Sequence, residues 1–190
     1  MARTIIFSNS YLSEINGNKE LNQKILDCLA MHKKASKGNQ LSNVGGYQTK
    51  PINDEEIVKP ILTNAVNLIT KHLKMKGQRK MSLHNLWINE NGYKDFNTVH
   101  THAGANFSGV YYAKVPQNSG ALVFQNSDSS ISFLQNHLHF HNTDNFTEFR
   151  VDPKENMMIV FQSNLLHYVR PNMSNENRVS VAFNIGINYG

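Results

Sequence analysis

Two histidine-bearing stretches and one arginine carry the chemistry this chain can be read for. His100 and His102 flank Thr101 just ahead of the apolar run FSGVYYAKV, and His167 closes a second apolar run in FQSNLLHYV. A polar loop of Pro, Asn and Ser follows, and Arg178 then opens the segment RVSVAFNIGI as Arg178-x-Ser180. Neutral imidazoles bind divalent iron, copper, zinc or nickel, and a facial set of three protein ligands with open positions suits non-haem Fe(II). Residues i and i+2 of a strand share a face, so His100 and His102 can reach one ion. If the strand has ended by His102, a turn brings its ring round equally well. A guanidinium is a permanent, planar partner for a carboxylate. Histidines from distant segments, with one such cation near the second, therefore suit a metal and an anionic ligand held side by side.

The remaining histidines supply a decoy. HLHFH repeats the two-residue spacing with His137, His139 and His141. We expect it at a loop or strand entry near the site mouth. The last strand sorts its residues more sharply. Val179, Val181, Phe183, Ile185 and Ile187 alternate onto one face, which must be packed. Arg178, Ser180, Ala182, Asn184 and Gly186 share the other, and small groups there leave room for a ligand beside the sheet.

The elements that must position these residues fall into two parts. Residues 1–80 read as a helical support region and 81–190 as a strand-rich core, together one domain. Residues 19–34 carry Leu21, Ile25, Cys28 and Leu29 at helical spacing behind Asn18 as N-cap. SKGNQLSNVGGYQTK is polar and glycine-rich, hence loop. A second helix starts behind Asn53 with Asp54, Glu55 and Glu56 in its first turn and Val58, Leu62, Val66, Ile69 and Leu73 as its stripe. Pro60 predicts a distorted start, and the helix should end near Gly77. From residue 81 the period becomes two. Segments 81–90, 97–102, 107–115, 120–126, 147–151, 156–163, 165–170 and 178–187 read as eight short strands. That many strands fit a sandwich or jelly roll with buried inner faces.

Composition narrows the classes modestly. A chain of 190 residues can bury a real core, and a mean hydropathy of −0.46 without an eighteen-residue apolar window argues against a membrane span. The start lacks a plausible apolar signal core, and the single cysteine, Cys28, excludes an intramolecular disulfide framework. A reducing, cytoplasmic setting is expected. The formal charge of +5 could attract nucleic acid or an acidic substrate, but its densest run, KHLKMKGQRK, reads better as a solvated helix end.

The order of these motifs resembles a known family. His-x-His, a strand with Tyr111-Tyr112, a glycine before a strand in SGALVF, then His167 and Arg178-x-Ser180 are similar to the 2-oxoglutarate- and Fe(II)-dependent oxygenases. The nearest likeness is to a small group of bacterial and phage proteins of prolyl-hydroxylase-like type, over about residues 83–187 and more faintly over SNVGGYQT in the first part. The resemblance implies a double-stranded β-helix, a jelly roll supported by N-terminal helices. It implies Fe(II) on His100, His102 and His167, and 2-oxoglutarate held at its far carboxylate by Arg178, Ser180 and Tyr112, with Tyr111 pointing the other way. It also implies dioxygen consumption, release of succinate and CO2, and hydroxylation of a substrate the sequence does not name. A peptide side chain, such as proline, is the first expectation and a nucleobase the second.

His102 departs from the family pattern, in which that position is mostly Asp or Glu. Three outcomes are open: His102 ligates, it turns away and leaves two protein ligands, or the chain has lost oxygenase chemistry. Two other classes also stand beside the oxygenase. A cupin-like binding module or isomerase uses His-x-His and a distant histidine, but commonly adds a glutamate soon after the pair, where this chain has AGANFSG. A non-catalytic barrel serving in a phage particle is the third.

Overall fold

The computed structural model describes residues 11–15, 18–73, 80–126 and 147–188. Helix α1 (Lys19–Ala35) starts as expected, with the Asn18 side chain accepting a 2.9 Å hydrogen bond from the Leu21 backbone N–H. Leu21, Ile25, Cys28 and Leu29 are buried, so the cysteine is a core residue. Helix α2 (Glu55–Leu73) departs in two details. Its cap is Asp54 rather than Asn53: Asp54 Oδ1 accepts from the Glu56 N–H at 2.9 Å, and its carbonyl accepts from Val58 at 2.8 Å. Its buried stripe is Ile57, Ile61, Ala65, Leu68 and Ile69, while Val58, Leu62 and Val66 are only half-buried. Two adjacent apolar stripes run along this helix, and the sheet beneath selects one. Pro60 lies inside the helix, which is continuous from Glu55. The expected end near Gly77 lies outside the described residues.

Among the described residues, eleven strands form two antiparallel sheets. In chain order they are β1 (Tyr11–Ile15), β2 (Asn43–Val44), β3 (Tyr47–Gln48), β4 (Lys80–Asn91), β5 (Phe96–His100) and β6 (Phe107–Lys114). There follow β7 (Leu122–Gln125), β8 (Glu148–Val151), β9 (Met157–Gln162), β10 (His167–Val169) and β11 (Arg178–Asn188). The major sheet runs β1-β9-β6-β11-β4-β3 and the minor sheet β2-β5-β10-β7-β8. All eight expected strands are present. The polar segment read as loop also contributes β2 and β3, which pair with β5 and β4. Strands of two residues show no alternation for a sequence to reveal. β1, likewise unexpected, pairs with β9.

Both helices pack on the outer face of the major sheet. There Ile25, Leu29, Ile61 and Leu68 meet Val179, Val181, Phe183 and Ile185, the packed face of β11. Burying such a side chain contributes about 1.5–3 kcal/mol. A second cluster, including Tyr112, Leu122, Phe124, Phe161 and Leu165, forms a separate apolar group away from the helices. The other face of β11 is thereby turned toward the interior of the roll.

Candidate metal and anion site

The minor sheet sets two of the three histidines by register. β5 and β10 are antiparallel, and His100 lies directly opposite His167, which has Phe124 on its other side. β5 ends at His100, so His102 is placed by the turn beyond it, not by strand alternation. The His102 backbone N–H donates to Ser163 O at 2.8 Å, which anchors that turn beside the other two rings. Ring centroids lie 4.3 Å apart for His100 and His167, and 5.1 Å for His102 with either.

Two carbonyls orient the rings. Nδ1 of His100 lies 2.7 Å from Thr98 O, and Nδ1 of His167 lies 2.8 Å from Leu165 O. A proton on each Nδ1 leaves Nε2 free to ligate a metal, the usual division of labour in metal-binding imidazoles. Nε2 of His102 and His167 are 3.3 Å apart, and one nitrogen from each of the three rings lies within 4.8 Å of the others. Nitrogens sharing an ion at roughly 2.1 Å, at right angles, are separated by about 3 Å, so the cluster fits a metal with little movement. Burial, reinforced by the neighbouring His100, holds His167 down to about 3 and His102 down to about 4. Burial also lowers His100. All three are neutral at pH 7, the form that ligates. Phe161 packs edge-on against His167 at 4.7 Å, and the Trp87 ring lies 5.8 Å from His102.

The major sheet supplies the opposite wall. Arg178 is 2% exposed, yet no carboxylate among the described residues is within ion-pair distance of it. Its Nη1 donates to Ser119 O at 2.6 Å and Gly120 O at 3.1 Å, and its Nη2 to Asn91 Oδ1 at 2.9 Å. Gly120 adopts φ +85°, and a Cβ there would overlap the Arg170 carbonyl, so glycine lets this turn aim its carbonyl at the guanidinium. Burial lowers the Arg178 pKa, opposed by Tyr112 and Asp95.

Next to Arg178 the register builds a polar row. Tyr112, Ser180 and Asn89 are directly opposed across β6, β11 and β4, and Gln48 of β3 continues the row. Opposed residues share a face. Burial pushes Tyr112 up to about 12, so its hydroxyl keeps its proton and remains a donor. Tyr111 points to the helix side, where its hydroxyl donates to Asn22 Oδ1 at 2.7 Å.

Among the described residues, two buried side-chain polar atoms lack any partner: Arg178 Nε and Asn89 Oδ1. Both residues line one internal cavity of about 60 Å³, together with Tyr112, Ser180 and the three histidines. Unpaired buried polar atoms are rare and costly, so two around one cavity indicate a polar ligand. All six residues singled out from sequence therefore converge. His137, His139 and His141 lie outside the described residues. Sequence reading missed Asn89 and Asn91, whose signal was the alternation Trp87, Asn89, Asn91 along β4. Of the 39–51 segment it marked only a faint family likeness over SNVGGYQT, not that the segment walls a larger pocket of about 560 Å³, which shares Trp87, His100 and His102 with the inner cavity.

Comparison with known proteins adds the family. A family model described as putative 2OG-Fe(II) oxygenase matches residues 85–184. No curated protein matches the chain by sequence. Among solved structures, a Pseudomonas putida prolyl-4-hydroxylase is 14% identical with a TM-score of 0.61, covering 93% of this chain and 92% of its own. A Trichoplax adhaerens prolyl hydroxylase in complex with a hypoxia-inducible-factor peptide is 16% identical with a TM-score of 0.65, covering 94% and 84%. A non-heme alpha-ketoglutarate-dependent carbocyclase from nogalamycin biosynthesis is 13% identical with a TM-score of 0.63, covering 94% and 79%. At such identities the likeness is one of fold, the double-stranded β-helix.

Proposed function

Because the chain belongs to the family of putative 2OG-Fe(II) oxygenases, we propose that it is a hydroxylase in which His100, His102 and His167 hold Fe(II). In this reading Arg178, Ser180 and Tyr112 hold the far carboxylate of 2-oxoglutarate, and the whole chain acts as one domain. The observation that carries it is one cavity where three neutral imidazoles face a buried guanidinium that has no carboxylate partner among the described residues. When bound, Fe(II) and 2-oxoglutarate supply dioxygen activation: one oxygen atom enters succinate with loss of CO2, and the other enters a substrate C–H bond.

The chain's own residues divide the remaining work. Arg178 offers its free Nε–H, and Tyr112 and Ser180 offer hydroxyls, so a carboxylate would meet three donors in a water-poor site. Preorganised donors lose little reorganisation energy on binding. Phe161 and Trp87 keep the histidine rings in apolar surroundings and limit water. A peptide side chain is the favoured substrate, supported by the prolyl hydroxylase neighbour that carries a peptide. The buried guanidinium weighs against the cupin-like reading, which has no use for it. The test is anaerobic binding of Fe(II) and 2-oxoglutarate, followed by succinate release on admitting oxygen. One Fe(II) per chain with succinate formation is expected, and metal binding without 2-oxoglutarate binding would sink the reading.

A further inference from the structure

The larger pocket has a composition of its own. Its walls come from the 39–51 segment, from the inner faces of β4 and β11, and from the turn after His100. Among the described residues no Lys, Arg, Asp or Glu lines it, although the chain carries 19 cationic and 14 acidic residues. A phosphate, a carboxylate or an ammonium group would find no counter-charge there. The basic balance of the chain lies elsewhere and says nothing about this pocket.

Gln48 gives the pocket its specificity. It is 4% exposed, shares the inward face of the sheet with its partner Asn89, and lines the pocket. Its carboxamide makes no hydrogen bond among the described residues. An amide this deep and unpaired is the kind of group a ligand is expected to satisfy. A carboxamide presents one acceptor and two donors side by side, which matches another amide in a two-bond pair.

A second group faces the same space with fixed polarity. Ser108 Oγ donates to Asn184 Oδ1 at 2.7 Å, and Asn184 Nδ2 donates to Asn85 Oδ1 at 2.8 Å. That chain of bonds leaves the Asn85 Nδ2 hydrogens uncommitted, and Asn85, an exposed residue on the pocket wall, can donate them to an acceptor such as a carbonyl. Trp87, Pro51 and Leu41 add apolar surface beside these polar groups, with Trp87 next to His102.

Resting on the oxygenase reading above, we infer that Gln48 is the specificity-determining residue of this pocket, pairing with a backbone amide of an uncharged peptide segment. Asn85 takes a neighbouring carbonyl, and Trp87 shelters the side chain that reaches the metal. A nucleic acid is disfavoured because its phosphates would meet no cation among the described residues that line the pocket.

The experiment compares three probes on the Fe(II)-loaded full chain with 2-oxoglutarate present. They are a library of capped hexapeptides without Asp, Glu, Lys or Arg, a matched library containing them, and a mixed-sequence single-stranded oligonucleotide. The uncharged library is expected to raise succinate release and to gain one oxygen atom by mass. With peptides drawn from it, Gln48→Leu should raise KM on the order of 10- to 100-fold, the worth of one or two lost hydrogen bonds. Its 2-oxoglutarate affinity, measured by anaerobic titration, should be retained, which separates a lost contact from a damaged fold. Stimulation by the oligonucleotide or the charged library instead, no stimulation by any probe, or an unchanged KM in Gln48→Leu would each overturn the inference. Absence of 2-oxoglutarate binding in the unmodified protein would instead remove the oxygenase reading on which it rests.

Discussion

The two sheets place functional side chains by different means. In the major sheet, β11 is paired along its length with β4 and β6, and register alone brings Tyr112, Ser180 and Asn89 into one inward row beside Arg178. In the minor sheet, β10 has three residues and β5 five, so His100 and His167 sit at strand ends and His102 lies past one. A long, doubly paired strand holds its row through many backbone bonds. A strand end is held by a few, with carbonyls at Thr98 and Leu165 doing the orienting. Rigidity on the anion side and local adjustability on the metal side is the lesson, and it can be tested from either wall.

The largest effect is expected at His167, where both sheets' contributions meet. His167→Ala should abolish Fe(II) binding, measured as metal per chain after anaerobic loading, with circular dichroism retained. Full occupancy in that variant would remove His167 from the metal site. His100→Ala should behave alike.

Next comes the anion wall. Arg178→Lys keeps the charge but loses the fork, and 2-oxoglutarate affinity should fall by on the order of 1.5–3 kcal/mol in anaerobic calorimetry. Arg178→Leu should fall further and lower thermal stability as well, because the Ser119 and Gly120 carbonyls and Asn91 lose their donor. If the lysine variant binds normally, the guanidinium is scaffolding only.

His102 sharpens the contrast, because its turn can accept a substitution that a central strand could not. With three neutral imidazoles and Arg178 near by, and no carboxylate among the described residues lining the site, 2-oxoglutarate should strengthen Fe(II) binding and the reverse, by the same factor. His102→Asp should bind Fe(II) more tightly without cosubstrate and show weaker coupling, whereas His102→Ala should bind it more weakly. Equal coupling in all three proteins would place His102 outside the ligand set.

The pH response follows the burial of the rings. An unfolded histidine titrates near 6.5, whereas folded His102 and His167 are held at about 4 and about 3. The unfolded chain therefore takes up protons first, so stability present above pH 6.5 is lost as pH falls toward 3. The metal-free protein should show a falling thermal midpoint across that window, and His167→Gln should flatten the fall. Metal binding should likewise persist below pH 6.5. An unchanged profile in His167→Gln would show that the ring is not buried in its neutral form.

The smallest effect is expected at Asn89. Asn89→Leu removes the polar atom that has no protein partner, so folding should change little while 2-oxoglutarate affinity drops by about 0.5–1.5 kcal/mol. Unaltered affinity would mean that Asn89 faces water rather than the cosubstrate.

Much of this was legible in one dimension. Alternation along β11 separated Val179, Val181, Phe183 and Ile185 from Arg178, Ser180 and Ala182, because a strand's period of two is a local property of the chain. Helical spacing likewise marked Leu21, Ile25, Cys28 and Leu29, and residue type marked three imidazoles and a guanidinium as a metal-and-anion kit. Only the tertiary structure decided that His100 faces His167, that His102 arrives by a turn tied to Ser163, and that Asn89 and Gln48 extend the row begun by Tyr112. It also chose Ile57 and Ile61 over Val58 and Leu62 on α2, and gave β2 and β3 to edges that a polar loop would not announce. The reason is the same in each case. Periodicity says which face a residue takes, but which residue stands opposite depends on partners far away in the chain, and that is settled only when the sheets close.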